Sequence, residues 1–280
     1  MNSIRVVLSV AAEYVTEQLD MDTAFLDSNI EERVFMEVPY GILSAWHKTI
    51  HRVFMKIGFR GCGSDVCVYV KANEGSFEFI CLYVDDMIIA AKTSEETQDV
   101  KSALKRAFKV KGLGEAKFII GMEINHDYSL NTVTIKQTRY IDDVVEMFNQ
   151  KNANMVVNPC ESGLKLTTTQ SAITREERIK TQVKPYRSLI GYLLYITTCT
   201  RSDSRFLENP GIHDWMSAIR VLRYLKDTRK FGVVYKGKSG KVKLTAYTDA
   251  EWGSNLDDRR SVSGTMVKIS GVPVAFKSKY

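Results

Sequence analysis

Phe77-Glu78-Phe79-Ile80-Cys81-Leu82-Tyr83-Val84-Asp85-Asp86-Met87-Ile88-Ile89-Ala90-Ala91 is the stretch on which the fold turns. Two short runs rich in β-branched and aromatic residues meet at a pair of acids, the pattern of a hairpin with the acids at its bend. Burying two adjacent anions costs on the order of several kcal/mol unless a cation or hydrogen bonds offset it. A divalent metal is one compensation. An exposed turn, where Asp is common, is the other.

Working outward, a second strand-like run from Gln18 to Leu26 carries Asp20. Adjacent strands would bring Asp20 beside Asp85. Carboxylate oxygens from different strands, with open coordination positions, suit Mg²⁺ or Mn²⁺. A pair of such ions activates a hydroxyl and neutralises a departing pyrophosphate.

Around these runs the periodicity alternates. Apolar residues of the first fifteen positions recur at helical spacing before Gln18 changes the period. Thr93 with Glu96 forms a capping-box pattern, and Val100, Leu104 and Phe108 fall on one helical face, so a helix is expected from Ser94 to Phe108. Gly112-Leu113-Gly114 reads as a chain break. Lys117 to Ile124 and Asn131 to Ile135 read as two paired strands, and Tyr140 to Phe148 as a helix. The polar, Thr-rich stretch from Asn152 to Lys184, with Pro159, reads as a linker. Helices are expected over Tyr186 to Thr198 and Asp214 to Thr228, then three strands within Lys241 to Lys277, with a boundary near Gly240. The fold class is α+β.

The chain has 280 residues, 44% hydrophobic and 26% charged, with no apolar run long enough for a membrane span. Its net charge of +6 is concentrated: Asp214 to Gly240 carries seven Lys or Arg against two Asp. Five cysteines, with Cys81 inside an apolar run, fit reduced thiols and a cytoplasmic or nuclear setting without membrane partners. No Gly-x-Ser-x-Gly or complete dinucleotide fingerprint is present, which removes those hydrolases and nucleotide-dependent oxidoreductases.

Gln18 to Leu26 resembles the first catalytic motif of copia-type retrotransposon reverse transcriptases, and Tyr83-Val84-Asp85-Asp86 resembles their Tyr-Val-Asp-Asp box. Further stretches resemble the family in the same order: Phe108 to Ile124 its primer-grip region, Pro185 to Gly191 with Leu194-Tyr195 the segment after the thumb, and then Thr200-Arg201 and Arg220 to Lys226. Leu244 to Trp252, with Asp257 to Gly264, resembles the opening of its ribonuclease H domain.

The resemblance implies a fragment of a Pol polyprotein. Residues 1–92 would be a polymerase palm-like sheet without its fingers, 93–158 the thumb and primer-grip region, 159–239 linker and connection helices, and 240–280 an incomplete ribonuclease H-like sheet. The implied activity is RNA-directed DNA polymerisation with Mg²⁺ or Mn²⁺. Its partners would be an RNA or DNA primer-template, deoxynucleoside triphosphates and other parts of the polyprotein. Asp20, Asp85 and Asp86 would be the catalytic, metal-binding acids, with the Met21 carbonyl as an added ligand and Asp249 as a metal ligand of the ribonuclease H part. Phe25, Tyr83 and Val84 would contact substrate.

The chain departs from the family pattern at Tyr40 to Ala45, which lacks a Lys-Gln pair, and at Asp203 to Phe206, where two segments are fused. These gaps imply impaired or absent polymerase activity, and the missing ribonuclease H carboxylates imply none of that hydrolysis. Two rivals stand beside this reading. Arg220, Arg223, Lys226 and Lys230 on a basic helix and its end would serve a non-catalytic nucleic-acid binder. His47 and His51, one helical turn apart, with Cys62 and Cys67, would serve a zinc module.

Overall fold

The computed structural model describes residues 2–22, 40–159, 184–201, 212–237, 242–253, 259 and 261–279. Helix α1 (Asn2–Val10) and a 3₁₀ turn at Ala11–Glu13 lead into β1 (Val15–Met21). After α2 (Tyr40–Lys56) come β2 (Arg60–Cys62), β3 (Asp65–Asn73), β4 (Ser76–Tyr83), β5 (Asp86–Ala91), α3 (Ser94–Ala107) and β6 (Val110–Glu115). Six strands form one antiparallel sheet in the order β2-β3-β4-β5-β1-β6, so the β4–β5 hairpin holds its centre.

Strand alternation sorts side chains onto two faces. Leu19, Met21, Tyr69, Ile80, Leu82, Met87 and Ile89 pack under α2 and α3 against Trp46, Ile50, Phe54, Val100 and Leu104. Val68, Cys81, Ile88 and Ala90 on the opposite face join Ile4, Val7 and Leu8 of α1. Helix α3 starts where expected: Thr93 Oγ1 accepts from the Glu96 amide at 3.3 Å, and Glu96 Oε2 accepts from the Thr93 amide at 3.1 Å.

β6 corrects the expected break. Gly112 and Gly114 lie within a strand, opposite Leu19 and Gln18, with a register shift between those two partners. Glycine weakens a strand, but the open edge of β1 supplies hydrogen-bond partners that outweigh the local preference.

A second sheet, ordered β10-β9-β8-β7, comprises β7 (Phe118–Ile119), β8 (Met122–Asp127), β9 (Thr132–Lys136) and β10 (Val233–Lys236). The expected single strand from Lys117 to Ile124 is therefore two. They are joined by a turn in which Ile120 and Gly121 have φ of 48° and 67°. Ile119, Met122, Ile124, Val133, Ile135 and Tyr235 bury this sheet against the α1 side of the first.

Helices α4 (Thr138–Met147), α5 (Tyr186–Cys199) and α6 (Ile212–Asp227) share a third cluster built on Ile141, Val144, Leu189, Leu193, Leu222 and Leu225. The last sheet pairs β11 (Leu244–Glu251), β12 (Val262–Ile269) and β13 (Val272–Lys279). Val274 of β13 enters the same core as Ile4, and Tyr235 Oη donates to the Pro273 carbonyl at 3.1 Å. The architecture is α+β with antiparallel sheets. Most of the expected linker, residues 160–183, lies outside the described residues, as does the fused segment at Asp203 to Phe206. Among the described residues no helix is long and apolar enough to cross a membrane.

Candidate functional site

The site is built on the ends of β1, β4 and β5. Asp20 of β1 stands opposite Asp86 of β5. Tyr83 pairs with Asp86, leaving Val84 and Asp85 as a two-residue turn. Because Leu19 and Met21 point to the α2 side, Asp20 and Gln18 point to the other, and Asp86 shares that face by the same alternation. Gln18 Nε2 donates to Asp86 Oδ1 at 3.4 Å. The Met21 amide donates to the Asp85 carbonyl at 3.0 Å, which ties the turn to β1.

All three carboxylates are half-buried. Burial raises the Asp85 pKa above the usual carboxylate value, and the charges of Asp20 and Asp86 add to the rise. Burial also raises that of Asp86, which the Gln18 hydrogen bond opposes and Asp20 reinforces. Asp85 Oδ1 is buried and has no hydrogen-bond partner. A hard cation would satisfy this oxygen and relieve the repulsion together, so the donor set fits Mg²⁺ or Mn²⁺. Among the described residues, however, no three His, Cys, Asp or Glu side chains converge as a ready metal cage. The acids are thus cross-strand and turn neighbours, each partly exposed.

Tyr83 and Val84 are exposed beside them, at 47% and 39% of full accessibility. Val84 has φ of 56°, a left-handed conformation that is rare for a β-branched residue. Its carbonyl accepts from the Trp46 indole Nε1 at 3.0 Å. Trp46 is 2% exposed and sits edge-on to Phe108 with ring centroids 5.3 Å apart. Sequence reasoning gave neither Trp46 nor Gln18 a role. For Gln18 a signal existed, since it lies two residues before Asp20 on the same strand face. Phe25 lies outside the described residues.

The basic helix is largely engaged within the chain. Arg220 Nε donates to the Asn158 carbonyl at 3.1 Å, Arg223 Nε to Gln150 Oε1 at 2.8 Å, and Lys226 Nζ to the Ala153 carbonyl at 2.6 Å. These contacts hold the segment after α4 against α6, while Lys230 is exposed. Asp249 lies in β11 opposite Gly264 and is exposed.

The zinc reading is corrected. His47 Nε2 lies 3.0 Å from the Val66 carbonyl and His51 Nδ1 lies 3.1 Å from Tyr69 Oη. One nitrogen of each ring is taken by those partners, and His47, His51, Cys62 and Cys67 do not gather into a three-ligand group. Asp65, between the cysteines, instead accepts from the Cys67 amide at 2.9 Å and from Ser3 Oγ.

The family described as reverse transcriptase (RNA-dependent DNA polymerase) matches residues 40–162. The chain is 35% identical over its whole length to the retrovirus-related Pol polyprotein from transposon TNT 1-94 of Nicotiana tabacum, of which it spans 23%. It is 28% identical, over 93% of its own length and 92% of the relative's, to a putative transposon Ty5-1 protein of Saccharomyces cerevisiae. It is 27% identical, over 99% of its length and 20% of the relative's, to the retrovirus-related Pol polyprotein from transposon RE2 of Arabidopsis thaliana.

Proposed function

We propose, for a chain that belongs to the reverse transcriptases of copia-type retrotransposon Pol polyproteins, that Asp20, Asp85 and Asp86 are the acids of a nucleotidyl-transfer site extending a primer on an RNA or DNA template. The observation that carries this reading is the Asp20–Asp86 cross-strand pair beside the orphaned Asp85 Oδ1. Isolated turn acids have no reason to be brought against a third carboxylate from a distant strand, because like charges directly opposite destabilise a sheet.

Asp20, Asp85 and Asp86 would hold Mg²⁺ or Mn²⁺, with the Met21 carbonyl as a further donor. The ion would lower the pKa of the primer hydroxyl and offset charge on the triphosphate. The chain's own side chains set the stage for this. Gln18 orients Asp86 through its amide. The exposed Tyr83 and Val84 form the surface that substrate would meet, and Phe25 is proposed as a further substrate contact.

In this reading residues 1–92 form a polymerase palm, to whose sheet β6 is added from the next region. Residues 93–158 form a thumb and primer-grip region, 159–239 the linker and connection helices, and 240–280 a ribonuclease H-like part in which Asp249 would be the metal ligand. We further propose that polymerisation by this chain is weak. Tyr40 to Ala45, at the start of α2, carries no Lys-Gln pair to hold nucleotide and template, and misplacement by about 1 Å costs on the order of 100-fold in rate.

The test is Mg²⁺-dependent extension of a DNA primer on an RNA template by the wild type, Asp85→Asn and Asp86→Asn. Incorporation by the wild type alone supports the assignment, and equal incorporation by all three removes it. Salt-sensitive binding of the duplex without incorporation would favour the non-catalytic alternative, carried by Lys230 and the edge of the basic helix.

A further inference from the structure

The turn that presents Asp85 is built on the wrong residue for its shape. A two-residue hairpin turn in which only the first central residue has positive φ normally places Gly there. Here that position is Val84, at φ 56°. Such a conformation persists only when its surroundings over-determine it. Two contacts do so: the Trp46 indole to the Val84 carbonyl at 3.0 Å, and the Met21 amide to the Asp85 carbonyl at 3.0 Å. The second is made by backbone, which any sequence could supply. The first needs a rigid donor at one place on α2, and Trp46 is fixed there by burial and by the edge-on Phe108 ring.

We propose that Trp46 is a positioning residue: its indole N–H holds the Val84 carbonyl, keeps the Val84-Asp85 turn in its left-handed form, and so aims the Asp85 carboxylate toward Asp20 and Asp86. This rests on the metal-site reading of those acids. Trp46 itself stays behind the turn, on the α2 face of the sheet, and touches no substrate. Hydrophobic packing alone would be met as well by Phe. The hydrogen bond would not.

The experiment uses the full chain as wild type, Trp46→Phe, and Trp46→Phe combined with Val84→Gly. Amide hydrogen exchange at Met21 reads the turn, exchange at Ile80 and Ile89 reads the core, and Mn²⁺ titration followed by electron paramagnetic resonance reads the acids. Trp46→Phe is expected to speed exchange at Met21 and weaken Mn²⁺ binding, each about tenfold, while Ile80 and Ile89 stay protected. Adding Val84→Gly restores both, because Gly takes positive φ without strain.

Equal acceleration at Met21, Ile80 and Ile89 would overturn the proposal in favour of simple packing. So would faster exchange at Met21 with unchanged Mn²⁺ affinity, or no rescue by Val84→Gly. If the wild type binds Mn²⁺ no better than Asp85→Asn does, the metal-site reading fails instead, and exchange at Met21 still decides whether Trp46 holds the turn.

Discussion

Asp20 and Asp86 are register partners across β1 and β5, two like charges on one sheet face with Asp85 in the adjoining turn. A carboxyl whose pKa is raised by folding favours its protonated form in the folded state. Its contribution to stability is therefore greatest below the ordinary carboxylate pKa and is lost as pH rises through the raised value. For Asp85 and Asp86 the causes are burial first and neighbouring acids after it. At neutral pH, without metal, the acids oppose the fold.

Asp85→Asn is accordingly expected to raise the melting temperature of the metal-free protein at pH 7, by about 2–4 °C, the scale of 1 kcal/mol in a protein of this size. The difference from wild type should shrink as pH falls below the carboxylate range. Added Mg²⁺ should stabilise the wild type and leave the variant nearly unmoved. Scanning calorimetry at pH 4 and pH 7, with and without Mg²⁺, checks all three. A variant less stable than wild type at pH 7 would contradict the electrostatic account.

Glu78 is 1% exposed, and its Oε1 accepts from Lys71 Nζ at 2.9 Å and from Asn73 Nδ2 at 2.6 Å. Removing the cation leaves a buried carboxylate with one neutral partner. Lys71→Met should cost about 1–3 kcal/mol, and Glu78→Gln in that background should recover part of it. Urea denaturation of the four-member cycle measures the coupling. Strict additivity would show that the pair is not a unit.

The start of α3 offers a cleaner magnitude. Thr93→Ala removes the acceptor for the Glu96 amide and should cost about 1 kcal/mol, with Thr93→Ser close to wild type. Denaturant midpoints distinguish the two. Equal losses for Ala and Ser would mean that the Thr93 methyl, and not the hydroxyl, matters.

Arg223 and Lys230 separate structure from nucleic-acid contact. Arg223→Gln breaks the bond to Gln150 and should lower the melting temperature. Lys230→Gln should leave it unchanged and, if Lys230 meets a phosphate, reduce the salt dependence of duplex binding by about one unit of slope. Fluorescence anisotropy from 50 to 200 mM salt reads this, on the range where such slopes are resolved. An unchanged slope would remove Lys230 from the interface.

Several of these features were legible in the chain and others were not, for physical reasons. The β4–β5 hairpin and the capping box were legible because their signals are local: two β-rich runs with acids between them, and Thr93 three residues before Glu96. β6 was misread because Gly112 and Gly114 speak for a turn, whereas the edge of β1 that they pair with is about ninety residues away in the chain. The Ile120-Gly121 turn was hidden inside an apolar run, and its carbonyl at Ile120 is held by the Tyr195 hydroxyl from α5, which no local pattern announces. The acids could be matched by motif, and Gln18 by its place two residues before Asp20, but the support from α2 could not. Trp46 looks like any core aromatic until its indole is seen to meet Val84.

The order of the first sheet carries one more consequence. Phe79-Ile80-Cys81-Leu82 and Met87 to Ala91, had they lain at a margin, would be the segments most prone to recruit a second chain into a growing fibril. The fold encloses them on both sides and gives the margins to β2, three residues long with Gly61, and to β6, with Lys111, Gly112 and Gly114. Short, charged or glycine-bearing borders make poor templates for strand addition. The same strand order that collects three acids at one turn therefore also keeps these two segments away from the margins of their sheet.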